Sequence, residues 1–241
     1  MSKFILHKAH SRGISSNGWI YTKHSFCFAD YYDPDRIHFG VLRSVNDVTI
    51  APGRGLEKHA HSDMEMVMLT MKGDVIHSDS LGNKVELSQG SVQTITSGSG
   101  YLHEELNKNN DESLKFIHIW IFPYKKNLKP HYSYKQFKLG SSKNELLLLA
   151  SPHAEDNVTL IQQDAWVHIC NLNADHSVQY ELKKKGNGIY IINTLGECLI
   201  EDQLIETEDG IGIWDTEKVN IKALKDSQII VVEVPLKAYE A

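Results

Sequence analysis

Short runs of β-branched and aromatic residues, set apart by glycine, asparagine and aspartate turns, recur along nearly the whole chain. No long segment of its first half carries a convincing 3.6-residue apolar period. Val41 to Ile50, Glu65 to Met71, Ser91 to Thr96 and Leu114 to Phe122 read as strands, and Asp79-Ser-Leu-Gly-Asn83 supplies a Gly-Asn turn between two of them. Trp166 to Leu172, Ser177 to Leu182, Gly188 to Leu195, Gly210 to Trp214 and Gln228 to Val234 repeat the pattern. Many evenly spaced strands with Gly-rich turns specify an antiparallel barrel or sandwich. Phe122 to Pro130 is a polar, proline-bounded linker, and the stretch on to Leu149 reads as a connector. Matching Lys72-Gly73-Asp74 to Leu195-Gly196-Glu197 brings Gln89-Gly90 near Asp209-Gly210, so an internal duplication is the economical explanation. The expected division is a first domain over residues 1–122, a connector over 123–150 and a second domain over 151–241.

Length and charge narrow the function classes. A chain of 241 residues can bury one large or two small β cores. Its 25 Lys+Arg against 31 Asp+Glu leave 25 − 31 = −6, which argues against a phosphate-binding footprint and so against direct nucleic-acid binding. Lys183-Lys184-Lys185, the one basic triplet, precedes Gly-Asn-Gly and reads as a solvated turn. Cys27, Cys170 and Cys198 are odd in number and far apart, which suits reduced thiols. No apolar run approaches the ~20 residues of a membrane span, and the first residues lack a secretory leader, so a cytoplasmic protein without membrane attachment is expected.

Thirteen histidines stand out, and four positions are spaced to act together. In an extended segment, residues i and i+2 face the same way, so His59 and His61 project from one side. His103 and Glu105 do the same after the Gly-rich turn at Ser97-Gly-Ser-Gly100. Two such pairs on neighbouring antiparallel strands can bring three imidazoles and one carboxylate to a common centre. That set suits a first-row divalent ion with positions left open for water, substrate or dioxygen. Glu65 is a candidate to orient one histidine from behind, and Glu104 falls on the outer face.

These spacings carry a resemblance. Gly53-x5-His59-x-His61-x3-Glu65 resembles the first cupin motif, and Gly90 through His103-x3-Asn107 resembles a lengthened second one. Arg12-Gly, Gly18-Trp-Ile, Phe28-Ala-Asp-Tyr-Tyr-Asp-Pro34, Phe39-Gly-Val-Leu-Arg43, Ala51-Pro-Gly53 and His77-Ser-Asp-Ser-Leu-Gly-Asn83 together resemble the pirin family of bicupins over about residues 10 to 125. The resemblance implies an all-β bicupin, two antiparallel β-barrels of double-stranded β-helix or jelly-roll type facing each other. It implies one divalent transition-metal ion, Fe(II) foremost with Mn, Ni, Co, Cu or Zn also accommodated, held by His59, His61, His103 and Glu105. The activity it implies is quercetinase, a dioxygenase that opens a flavonol with O2 and releases CO, with Glu105 as general base toward the flavonol hydroxyl. The alternative is a metal-dependent regulatory or binding protein of pirin type, with a protein partner and no turnover. A monomer is expected, since the two halves can cover each other's open faces.

The second half lacks the ligand pattern. Under the glycine matches, His59, His61 and Glu65 correspond to Leu182, Lys184 and Gly188, and His103 and Glu105 to Ala223 and Lys225, so a cupin without metal is expected there. His118 shares a strand face with Phe116 and Trp120 and is expected to line the pocket. His77, just before a turn, is expected to be exposed.

Overall fold

The structure is a computed structural model that describes residues 2–140 and 143–237. It divides into two compact units, one formed by residues 13–137 and 159–163, the other by residues 2–12, 138–140, 143–158 and 164–237. Among the described residues no helix is long and apolar enough to cross a membrane.

The chain enters through β1 (Lys3–His7). It then lays down β2 (Gly13–Ser16), β3 (Ile20–His24), β4 (Leu42–Ile50), β5 (Gly55–His61), β6 (Glu65–Lys72) and β7 (Val75–Asp79). β8 (Lys84–Leu87), β9 (Ser91–Thr96), β10 (Tyr101–Asn107), β11 (Leu114–Ile121) and β12 (His131–Gln136) follow. In this first unit the strands form a seven-stranded sheet, β12-β9-β6-β11-β4-β3-β2, and a four-stranded sheet, β5-β10-β7-β8. Val48, Ile50, Met68, Leu114 and Phe116 of the first sheet bury themselves against Val75 and Leu87 of the second. The unit is therefore a two-layer sandwich of jelly-roll type and not a closed barrel.

The second unit repeats the plan with β13 (Leu146–Ser151), β15 (Trp166–Leu172), β16 (Ser177–Glu181), β17 (Asn187–Leu195), β18 (Cys198–Ile200), β19 (Gln203–Ile205), β20 (Gly210–Trp214), β21 (Lys218–Ala223) and β22 (Ser227–Pro235). The short β14 (Thr159–Leu160) lies in the piece of chain that groups with the first unit. One sheet runs β1-β20-β17-β22-β15-β13, and the other is β16-β21-β18-β19. Fifteen buried residues, among them Tyr180, Ile189, Cys198, Ile221 and Val231, fill the space between them.

Strand pairing differs from the sequence-based division in two places. Lys3–His7 pairs in register with Gly210–Trp214, so the start of the chain completes a sheet of the second unit. The stretch expected as a connector contains β12, which pairs with β9 from His131↔Thr96 to Gln136↔Ser91. Its Tyr-Ser-Tyr alternation is a strand pattern that the flanking lysines and prolines obscure.

Candidate metal centre

β5 and β10 build the site because their register sets histidine against histidine. His103 pairs with His59 and Tyr101 with His61, both in the antiparallel ladder of the four-stranded sheet. Gly55 permits this approach, since a Cβ there would lie 2.4 Å from the Glu105 carbonyl oxygen. Below His59 the register slips by one residue, so that Glu105 faces Leu56 and not Glu57. The extra residue is a β-bulge, and its signature in the sequence is Glu57-Lys58, two consecutive exposed charges. The slip lets Leu56 pack against the core while His59 and His61 still face inward. It also places the Glu57 carbonyl where it accepts a hydrogen bond from His59 Nδ1 at 2.7 Å. A carbonyl can only accept, so Nδ1 carries a proton and, in the neutral ring, the lone pair lies on Nε2.

On the other flank of β10, β7 pairs His103 with Asp79 and Glu105 with His77. His77 is fully buried, contrary to the expected exposed position, because it shares the inward row of β7 with Val75. The nearby turn disguised that row. Its Nε2 lies 3.3 Å from Asp79 Oδ2 and 3.2 Å from the Tyr101 hydroxyl, which in turn donates to Asp79 at 2.5 Å. The imidazole stacks on Tyr132, with centroids 4.5 Å apart and planes 9° from parallel.

His59, His61 and His103 thus converge. Their ring centroids are 4.5 to 5.0 Å apart, and one nitrogen of each lies within 4.8 Å of the others. Glu105 joins a second triad of the same tightness with His77 and His103, its Oε1 lying 3.7 Å from His103 Nδ1 and 3.9 Å from His77 Nδ1. The four residues singled out from the sequence are therefore arranged as overlapping triads joined at His103, with His77 as the member that spacing alone missed.

The electrostatics suit a cation. Burial, reinforced by the neighbouring imidazoles His103 and His59, lowers the pKa of His61 to about 4. Burial also brings His103 to about 4, against the opposing pull of Glu105. Both are neutral near pH 7 and keep a lone pair to give. Burial alone would raise the Glu105 carboxyl, but His77, His103 and His118 more than offset it and hold it below the ordinary carboxylate range. The decisive observation is one of satisfaction. His61 Nε2, His77 Nδ1, both nitrogens of His103 and Glu105 Oε2 are all buried without a hydrogen-bond partner. Buried polar atoms are normally paired, and a cluster of unpaired donor atoms around an ionised carboxylate fits a bound divalent ion.

The walls are aromatic. Trp120 meets His61 and His118 with centroids 5.0 Å away in each case, and Phe28 at 5.1 Å. His118 is buried among them, as its place on the Phe116 and Trp120 face suggests. Glu65 does not back a histidine. Its Oε2 accepts from Thr96 Oγ1 at 3.0 Å and from the Gln162 amide at 3.2 Å, while desolvation raises its pKa to about 7. It ties the 159–163 segment to the end of β6.

The fold has counterparts among known proteins. The model of the pirin family matches residues 7–121, and that of the quercetinase C-terminal cupin domain matches residues 148–234. The quercetin 2,3-dioxygenase of Escherichia coli K12 is 33% identical over 230 residues, which are 95% of this chain and 98% of that protein. This chain belongs to the pirin family. A pirin-like protein of Caulobacter vibrioides is 36% identical over 222 residues, 92% of this chain and 95% of its own. Among solved structures, the Escherichia coli pirin YhhW in complex with nickel(II) superposes with a TM-score of 0.90 at 32% identity, covering 97% of this chain and 99% of that one. The pirin fold is thus common ground between this chain and these relatives.

Proposed function

We propose that the first unit holds one divalent transition-metal ion, Fe(II) by preference, through His59, His61, His103 and Glu105. In this reading the protein is a dioxygenase of quercetinase type that opens a flavonol with O2 and releases CO. The observation that carries it is the set of unpaired, neutral imidazole nitrogens converging beside an ionised, buried glutamate. A mixed set of imidazoles and one carboxylate is the donor chemistry of non-haem Fe(II) oxygenases. The names and the identities of the relatives, at 33% for the quercetin 2,3-dioxygenase of Escherichia coli, support the same substrate class.

An ion bound there supplies Lewis acidity, lowering the pKa of the flavonol hydroxyl and opening the ring to O2. The chain's own residues do the rest. Glu105, ionised at neutral pH, takes the hydroxyl proton on Oε2, the oxygen with no other hydrogen-bond partner. The Glu57 carbonyl selects the His59 tautomer whose free nitrogen is Nε2. Trp120 and Phe28 give a flat ring an apolar face beside His61 and exclude water from that side.

Anaerobic loading with Fe(II), elemental analysis, and then O2 uptake with loss of flavonol absorbance test the proposal against a His59→Ala/His61→Ala control. One equivalent of metal and turnover only in the wild type are expected. Full metal occupancy without turnover of several flavonols would leave a binding protein of pirin type.

A further inference from the structure

The carboxylate of Glu105 is tied at one oxygen and bare at the other. Gln93, on β9 in the opposite sheet and only 1% exposed, donates Nε2–H to Glu105 Oε1. Oε2 is buried with no hydrogen-bond partner. An ionised carboxylate only accepts, so the amide must turn its NH2 end to Glu105. Its other end is committed as well, because the Tyr132 hydroxyl donates to Gln93 Oε1 at 3.1 Å. Met68 Sδ sits 3.5 Å from the same Nε2 and closes the remaining side. Tyr132 is held by its stack on His77. A line of contacts from Tyr132 through Gln93 thus reaches across the sandwich to fix how the carboxyl plane of Glu105 is turned.

We propose that Gln93 is a positioning residue for Glu105. By occupying one lone pair of Oε1 it favours Oε2, which has no hydrogen-bond partner, as the oxygen given to a cation on the three histidines, so Glu105 binds through one atom and stays free to give that atom up to a proton. Tyr132 acts one step further back, by preventing the Gln93 amide from flipping. The inference rests on the metal reading above, and Gln93 itself touches neither ion nor substrate. Outer partners of metal ligands commonly set affinity by about 10- to 100-fold, which gives the size of effect to look for.

Cobalt(II) is the probe, since its visible absorption reports the number and kind of its ligands. Wild type, Glu105→Gln, Gln93→Met, Gln93→Glu and Tyr132→Phe are titrated with Co(II) and then assayed for flavonol turnover. Gln93→Met is expected to bind Co(II) about 10- to 100-fold more weakly. Its spectrum should move toward that of Glu105→Gln, and kcat should fall while the flavonol KM stays within about twofold. Gln93→Glu, which sets two acceptors face to face, should lose more, and Tyr132→Phe should show the same spectral shift to a smaller degree. A folded Gln93→Met protein with the wild-type spectrum and affinity overturns the proposal. Should that variant not fold, Tyr132→Phe, which removes a single hydroxyl, carries the test, and an unchanged spectrum there overturns it equally. If wild type itself takes up no Co(II), the metal reading falls first, an outcome distinct from a metal-binding wild type whose Gln93 variants match it.

Discussion

Where β5 and β10 of the first unit turn His59, His61, His103 and Glu105 inward, β16 and β21 of the second turn in Val178, Tyr180, Val219 and Ile221. The two four-stranded sheets have the same order, β5-β10-β7-β8 and β16-β21-β18-β19, so the contrast lies in side chains and not in topology. Even the position beside His77 has a counterpart of opposite character, for β18 contributes Cys198 and Ile200 to an apolar core. Glu105 of the first unit and Glu233 of the second are both fully buried, and their treatment differs most. Glu233 accepts from the Tyr180 hydroxyl, the Lys183 and Lys184 amides and Asn187 Nδ2, all at 2.8 to 2.9 Å. Glu105 has one donor in Gln93 and an oxygen with none. A carboxylate saturated by fixed donors is a structural pin for the Lys-Lys turn, whereas one left half-bare is built to meet something else.

The largest effect that could break this comparison is loss of metal from one unit only. His59→Ala/His61→Ala is expected to reduce bound metal from one equivalent to near zero, measured by elemental analysis after dialysis. Tyr180→Phe, on the strand holding the place of β5, should leave it at one. Metal loss from both would mean that the second unit shares in binding. Next in size, Glu233→Gln puts an amide NH2 among four donors and should cost about 3 kcal/mol in chemical denaturation, with metal content unchanged. A smaller loss than about 1 kcal/mol would show that the four hydrogen bonds do not pin the turn.

Much of this was legible beforehand, for reasons particular residues make plain. Ser91–Thr96, Trp166–Leu172 and Gly210–Trp214 are strands to the residue, since β-branched alternation bounded by glycine leaves little else. The His59/His61 and His103/Glu105 pairs were legible because a period of two puts each pair on one face. Hidden were the features that depend on which strand lies beside which. His77 reads as a turn residue until β7 is paired with β10. Glu65 reads as a histidine's partner until Gln162, far along the chain, is found against it. The glycine matches placed Leu182 and Lys184 opposite the histidines. The sheet order instead gives that place to β16, with Val178 and Tyr180 inward.

Acid should separate the units more gently. Burial lowers His61, His103 and His118 to about 4 in the first unit, while in the second His168 falls to about 3 for the same reason. The unfolded chain binds protons near pH 6.5, so in this window it holds more protons than the folded one, and stability falls as pH drops from about 6.5 toward 4. Above pH 6.5 these groups contribute no slope. Glu65, raised to about 7, offsets one of the three by gaining a proton on folding in the same window, which leaves two against one, so the metal-free first unit should lose protection earlier than the second on acidification, followed by hydrogen exchange resolved by segment. Equal loss in both would remove the asymmetry argued from burial.

The smallest effect tests the claim that only the inward rows differ. Glu104 stands next to Glu105 but on the outer face of β10, where it accepts a hydrogen bond from Ser78 Oγ. Lys222 holds an equally outward place on β21, beside buried Ile221. Outward-facing positions of this kind usually shift stability by no more than about 0.5 kcal/mol. Glu104→Ala and Lys222→Ala should therefore be indistinguishable from each other in denaturation, and both should leave Co(II) affinity within about twofold of wild type. A tenfold weaker affinity in Glu104→Ala alone would mean that the outer row of β10 also reaches the ion, and that alternation along a strand is too simple a rule for where the first unit keeps its charge.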